Sequence, residues 1–225
     1  MVRAGLARTV FVGASAGKLM GKPEMVALFE AVRIGQWFRY VTGLEHRFAE
    51  KPGQWIVDQL RKHGVETRHL DLRDFPMPFF DEAIPPAMPG RPRCTNEFVQ
   101  KWTAEIARAD GFVFVTPEYN DGPPAVLKNA IDWVYPEWNR KAAAFVSYGS
   151  VMGARAVQQL RETMIELQVA PVRSSVHVPM PVLMTHFKGG DASLGLNELE
   201  ARAKVMIDDL LWWTEALKSA RGLAS

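Results

Sequence analysis

Few stretches of this chain carry residues that could do chemistry. Gly13-Ala14-Ser15-Ala16-Gly17 satisfies GxSxG, the pattern that holds a serine nucleophile on a sharp turn after a strand. Small residues fall into that pattern readily, and a hydrolase elbow belongs deep in a chain rather than on its first strand. Hydrolysis through Ser15 is therefore the remote alternative. With Lys18 the same residues approach a phosphate loop, but only three residues separate the glycines and Leu19 replaces the required Ser or Thr. Cys94 has only Arg91 and Arg93 nearby as cationic neighbours and reads as an inert loop thiol. The five histidines form no HExxH and no other ligand spacing, so no metal site is expected. His177, beside a strand of valines, reads as a core or edge residue. The remaining candidate is a loop, Pro117 to Gly122, PEYNDG. Its chemistry would come from backbone N–H groups held in a stiff turn, because Asn120 and the Asp121-Gly122 pair are strong turn formers.

The elements around that loop explain where it would point. Phe112 to Val115 is an unbroken apolar run opening from Gly111, which suits a strand buried on both faces. Pro123 and Pro124 fit the start of a helix. Val126, Leu127, Ala130, Ile131 and Val134 give that helix its apolar stripe. A strand, a stiff loop and a helix in that order leave N–H groups off the carboxyl edge of an open α/β sheet, where ligands bind. Ala142 to Val146 predicts the next strand, and Ser147-Tyr148-Gly149-Ser150 its carboxyl-edge loop. Parallel strands share one carboxyl edge, so the two loops should face one crevice.

The rest of the chain follows the same alternation. Pro52 to His63 predicts a helix stopped by Gly64, and Val65 to Leu70 a second strand. Residues 71–93 hold six prolines and predict a long ordered loop that rims a ligand or meets a second subunit. Thr95 is the expected cap of a helix carrying Phe98, Trp102 and Ile106. Trp133, Tyr135, Pro136 and Trp138 form either a packed connection or a subunit interface. A helix from Gly153 precedes a fifth strand at Val172 to Val178. His186 to Asp191 reads as a loop. The last helix should turn Leu199, Ala203, Met206, Leu210, Trp213 and Leu217 inward.

TPEYN followed by PxxLKNAIDW, at Thr116 to Trp133, resembles the signature of the NAD(P)H-dependent FMN reductases, a flavodoxin-like family. DLRDFPxPFFDE and RFxEKPxxWI add to the likeness, which runs from about His46 to the C-terminus. It implies one flavodoxin-like domain over 1–225, an open parallel five-stranded sheet in the order 2-1-3-4-5 with helices on both faces. It also implies FMN as cofactor and NADPH or NADH as co-substrate. The final acceptor would be a small molecule such as free flavin, a quinone, chromate or an azo compound. On the same basis Pro117, Glu118, Tyr119 and Asn120 would frame the ring through backbone groups, and Ser147, Tyr148 and Gly149 would meet its other side. The chemistry would belong to the flavin, so no catalytic acid, base or nucleophile is expected. The alternative is a flavodoxin-like interaction module with weak or no flavin binding.

The N-terminus departs from that pattern. Thr9 to Gly13, TVFVG, is the expected first strand, since a central strand is needed to pair two ladders of backbone groups. The family's GSxRxxS phosphate loop is not intact after it, and Ser15 and Arg47 are its only remnants. Residues 16–45 read as an atypical insert. Lys18 to Glu45 resembles a segment of DoxX-type membrane proteins, a likeness that extends back to about Gly5. Met25, Leu28, Phe29, Val32 and Trp37 would give it an amphipathic helix packed on the domain or on a partner.

Bulk properties narrow the class further. The 225 residues are enough for one sizeable core. With 27 basic and 25 acidic residues the net charge is +2, which gives no electrostatic reason to propose nucleic acid. No apolar stretch is long enough to span a bilayer, and no signal peptide is evident. One cysteine excludes an internal disulfide and suits a reducing cytoplasm. The aromatic residues at 133–138 and Trp212-Trp213 predict a homodimer or a tetramer of dimers.

Overall fold

The computed structural model describes residues 24–29 and 48–223. Five strands form one parallel sheet: β1 (Glu24–Phe29), β2 (Glu66–Asp71), β3 (Gly111–Pro117), β4 (Ala142–Tyr148) and β5 (Ala170–His177). Their order is β2-β1-β3-β4-β5, as the resemblance implies. The helices are α1 (Glu50–Lys62), α2 (Glu97–Arg108), α3 (Ala125–Asp132), α4 (Ala154–Glu166), α5 (Met180–Phe187), α6 (Ser193–Asn197) and α7 (Glu200–Leu223).

The first strand is not where the sequence placed it. β1 is EMVALF, inside the stretch read as an insert and as an amphipathic helix. Met25, Leu28 and Phe29 satisfy a helical period, but MVALF is also a continuous apolar run bounded by Pro23. Such a run is ambiguous by periodicity, and the pairing decides it. β1 runs beside β2 from Glu24 opposite Glu66, and beside β3 from Met25 opposite Gly111. Two ladders of backbone hydrogen bonds outweigh a modest helix propensity. Thr9 to Gly13 lies outside the described residues.

Alternation along β3 and β4 divides the core in two. Val113, Val115, Ala142, Ala144 and Val146 face α1 and α7 through Ile56, Leu60, Met206, Ile207 and Leu210. Phe112, Phe114, Ala143 and Phe145 face α2, α3 and α4 through Trp102, Ile106, Leu127, Ile131, Leu160 and Met164. Every residue of both strands is buried, which is why they read as unbroken apolar runs. Each buried Phe or Leu contributes about 1.5–3 kcal/mol over its exposed state. Trp102 buries its polar atom at no loss, because its Nε1 donates to the Ala130 carbonyl at 2.8 Å.

Other elements differ in detail from the sequence expectation. The α2 cap is Asn96, whose side chain accepts from the N–H groups of Phe98 and Val99, and not Thr95. On α7 the buried stripe is Ala203, Met206, Ile207, Leu210 and Thr214. Trp213 is turned out with Trp212, the two rings meeting edge to face at 5.2 Å. Trp133 and Trp138 are almost wholly buried, so their segment is a packed connection within the subunit. His186 belongs to α5 rather than to a loop.

Candidate functional site at the carboxyl edge

The carboxyl ends of β3 and β4 carry the two loops that the sequence singled out. After Pro117, the Tyr119 N–H donates to the Gly122 carbonyl at 2.9 Å and the Gly122 N–H to the Tyr119 carbonyl at 3.0 Å. Between them Asn120 has φ 48° and Asp121 φ 68°. Positive φ at both central positions is the type I′ turn, and Asn and Asp are the non-glycine residues that enter that region at least cost. At Gly122 a side chain would instead displace the Gln159 amide. A Cβ there would lie 2.8 Å from Gln159 Oε1, and Gln159 Nε2 holds the Asp121 carbonyl at 2.9 Å.

Glu118 locks this turn to the rest of the edge. Its N–H donates to the Tyr148 carbonyl at 3.0 Å, joining the β3 loop to the β4 loop. Its side chain is only 2% exposed and points at the first turn of α4. One carboxylate oxygen accepts from the Arg155 N–H at 2.9 Å, and the other from Arg155 Nε at 2.7 Å. The helix dipole and the open N–H groups of α4 favour a negative charge here. Burial pushes the Glu118 carboxyl up, but hydrogen bonds from the Arg155 side chain and from the N–H groups of Arg155 and Ala156 outweigh it. The net effect holds Glu118 below the usual carboxylate range. Arg155 also pairs with Asp121 at 2.5 Å, across the turn. The anion seat at the α4 N-terminus is thus filled by the protein's own carboxylate.

The β4 loop doubles back over Ser147. Gly149, Met152 and Gly153 have φ of 145°, 59° and 75°. A Cβ on Gly153 would lie 2.6 Å from the Ser147 Cβ and 2.8 Å from the Tyr148 nitrogen, so only glycine lets the chain return this closely. Ser147 itself is fully buried. Its hydroxyl donates to the Met152 carbonyl at 2.8 Å and lies 2.8 Å from His177 Nδ1. Tyr148 is nearly buried and meets Phe48 edge to face at 4.9 Å.

Pro117, Glu118, Tyr119, Asn120, Ser147, Tyr148 and Gly149 therefore converge on one edge. Their roles are not alike. Glu118 and Ser147 point their side chains into the protein, and Tyr119 is partly exposed. Ser15 and Arg47 lie outside the described residues. The premise behind Ser15 changes, however. β1 is Glu24–Phe29, which in sequence lies after Ser15 and before Arg47. The sequence reading missed Arg155 and His177 as parts of the site's frame. Nothing local distinguishes either, because each acts across the fold.

The donor set suits an isoalloxazine edge. Among the described residues, no hydrogen bond takes up the N–H of Asn120, Asp121, Ser150 or Val151. Val151 and Met152 add exposed apolar surface beside them. Spare N–H donors with apolar flanks match a flat ring edged with carbonyl oxygens and ring nitrogens.

An open parallel sheet in this order, with two stiff loops at its switch-point edge, defines the flavodoxin-like class. The profile of that class that matches is NADPH-dependent FMN reductase, over residues 43–181, and the chain belongs to that family. It is 41% identical over 128 residues to an NAD(P)H-dependent FMN reductase of Schizosaccharomyces pombe, covering 56% of this chain and 64% of that protein. It is 35% identical over 151 residues to an NAD(P)H-dependent FMN reductase of Nectria, covering 64% of this chain and 71% of that one. The chain thus spans about two thirds of the length of these relatives. FerB, a flavoenzyme NAD(P)H:(acceptor) oxidoreductase from Paracoccus denitrificans, shares the fold with a TM-score of 0.58 at 17% identity, over 82% of this chain and 96% of that one. The matched range begins after β1, so this interior strand comes from sequence outside the family profile.

Proposed function

We propose that this chain is a flavin-dependent oxidoreductase that binds FMN at the Pro117–Gly122 and Ser147–Gly153 edge and uses NADPH or NADH to reduce a small acceptor. When bound, FMN supplies the redox chemistry, passing electrons from the nicotinamide to a quinone, free flavin, chromate or azo compound. The residues supply position. The observation that carries the reading is the pairing of the two loops through Glu118 N–H and the Tyr148 carbonyl, which leaves the N–H groups of Asn120, Asp121, Ser150 and Val151 without protein acceptors among the described residues. The α4 N-terminus is closed by Glu118, so it is not offered as the seat of the phosphate.

Two variants at one position test this. Asn120 has φ 48°, which glycine adopts freely and proline, fixed near −65°, cannot. Asn120→Gly should bind FMN within about threefold of the parent, and Asn120→Pro at least about tenfold more weakly, as one or two lost hydrogen bonds imply. Equal FMN affinity in the parent and Asn120→Pro would put the flavin elsewhere. A colourless purified protein that FMN does not turn yellow would favour the interaction module.

The reading extends to assembly and place. A homodimer is supported by the exposed Trp212-Trp213 pair on α7, with Val205 and Leu223 also exposed on that helix. Light scattering at micromolar concentration giving a mass of 25.2 kDa would reject it. A cytoplasmic setting is supported by Cys94, a free thiol and the sole cysteine. Among the described residues no helix is long and apolar enough to cross a membrane.

A further inference from the structure

Ser147 and His177 form a close polar pair beneath the β4 loop, on neighbouring strands. The Ser147 carbonyl accepts from the Val178 N–H at 2.8 Å, which fixes His177 beside Ser147. The Ser147 hydroxyl has one proton, and its donation to the Met152 carbonyl leaves the oxygen to accept from His177 Nδ1–H. That assigns the neutral Nδ1–H tautomer to His177. Burial favours the neutral ring, and the Arg161 and Arg202 charges reinforce it against the opposing pull of the Met152 carbonyl. The carbonyl held in this way belongs to Met152, a non-glycine residue at φ 59° between two glycines that also have positive φ. A residue with a Cβ stays in that region only where its surroundings over-determine it.

We propose that His177 and Ser147 are positioning residues for the flavin: His177 holds the Ser147 hydroxyl, Ser147 holds the Met152 carbonyl, and the fixed loop presents the Ser150 and Val151 N–H groups to the ring. Neither side chain touches the ligand. Ser147 is fully buried, so on this proposal it would act on the flavin through the loop above it rather than by its own hydroxyl. This inference rests on the flavin site proposed above. It adds a polar support on β5, an element that contributes no loop to that site.

The test compares FMN and riboflavin binding to the full-length apoprotein by flavin fluorescence, with the visible spectrum of the bound flavin as second readout. Ser147→Ala and His177→Phe remove one link each while keeping volume. Each should weaken FMN and riboflavin alike, by about fivefold to twentyfold, the loss of about one hydrogen bond. Each should also blunt the fine structure of the 450 nm region. His177→Asn, whose side-chain N–H can still reach Ser147, should stay within about threefold of the parent. Adding Met152→Gly to Ser147→Ala should recover much of the loss, because glycine holds φ 59° without the pin. This rescue also covers the case in which His177→Phe does not fold.

Parental affinity and spectrum in folded Ser147→Ala and His177→Phe would overturn the proposal. So would a lower melting temperature with unchanged flavin binding, which means a structural role only. If those variants bind normally while Asn120→Pro does not, the flavin site stands and the proposal alone fails. If the parent binds no flavin, both fail.

Discussion

Arg155 grips Glu118 from two directions: its backbone N–H meets one carboxylate oxygen at 2.9 Å, and its guanidinium Nε meets the other at 2.7 Å. A single residue thus supplies both a helix-terminus donor and a cation to the same buried acid. The consequence is mechanical. The β3 turn cannot shift without dragging the first turn of α4, and through Gly153 the β4 loop as well.

Glu118→Gln keeps the shape and loses the charge. It should lower the melting temperature and weaken FMN by about tenfold, since charge-assisted hydrogen bonds are roughly twice as strong as neutral ones. The folded-state pKa of Glu118 is depressed, so its contribution is present above the unfolded value of about 4.3 and is lost as pH falls through the folded value. Melting temperature measured from pH 6 down to pH 3 should therefore fall less steeply in Glu118→Gln than in the parent. Parallel curves would remove Glu118 from the account.

His177 and His69 carry a second, milder acid sensitivity. Burial lowers the pKa of both. The Met152 carbonyl opposes it at His177, and Asp71, Asp74 and Glu50 oppose it at His69. A folded base with a depressed pKa contributes fully above the unfolded value of about 6.5, and stability declines below it as the unfolded chain takes up protons. Urea unfolding at pH 7.5 and pH 5.5 should show this loss, and His177→Asn should retain only the share due to His69. An unchanged difference in that variant would assign the whole effect elsewhere.

Lys141 is a buried cation with a stabilising task. Its Nζ donates to the Ile106 carbonyl at 2.7 Å and the Ala107 carbonyl at 3.1 Å, at the end of α2. It also lies 5.7 Å from the Phe112 ring centre. Lys141→Met keeps the apolar stem and strips the donors, leaving the buried Ile106 carbonyl and the half-buried Ala107 carbonyl without it. The expected destabilisation is about 2–4 kcal/mol, read from the urea midpoint. A loss below about 0.5 kcal/mol would mean water replaces the ammonium.

Asn129 fastens the proline-rich loop to α3. Its amide accepts from the Phe80 N–H at 2.9 Å and donates to the Pro78 carbonyl at 2.9 Å, which Trp133 Nε1 also holds at 2.8 Å. Between those anchors Phe79 is 77% exposed. Asn129→Ala should make the chain near Phe79 a site of rapid cleavage by chymotrypsin, with Trp133 left as the sole anchor of the Pro78 carbonyl. Resistance equal to the parent would show that Trp133 and the prolines suffice.

How much of this was legible in the sequence depended on how local each cause was. β3, its turn and β4 were readable because strands buried on both faces are apolar throughout and Asn-Asp-Gly is turn chemistry. The family wording reached the same loops independently. β1 was misread because MVALF is too short for periodicity to separate helix from strand, and only the empty seat between β2 and β3 decides it. Trp213 fits the α7 stripe by spacing, yet the helix is rotated enough to bury Ile207 and Thr214 instead. Arg155 left no trace and His177 read only as a core or edge residue, since each meets its partner across a gap of 30 residues or more.

The placement of β1 bears on how this protein could fail. Among the described residues the sheet has five strands and two edges, β2 and β5. Losing contact with residues 24–29 would create two more, on the flanks of β2 and β3, facing each other across a gap one strand wide. Unpaired edges recruit extended chains from other molecules, and long apolar edges such as that of β3 do so most readily. A cut or substitution near Glu24 to Phe29 would therefore register first as association between copies, before any change in the carboxyl-edge loops.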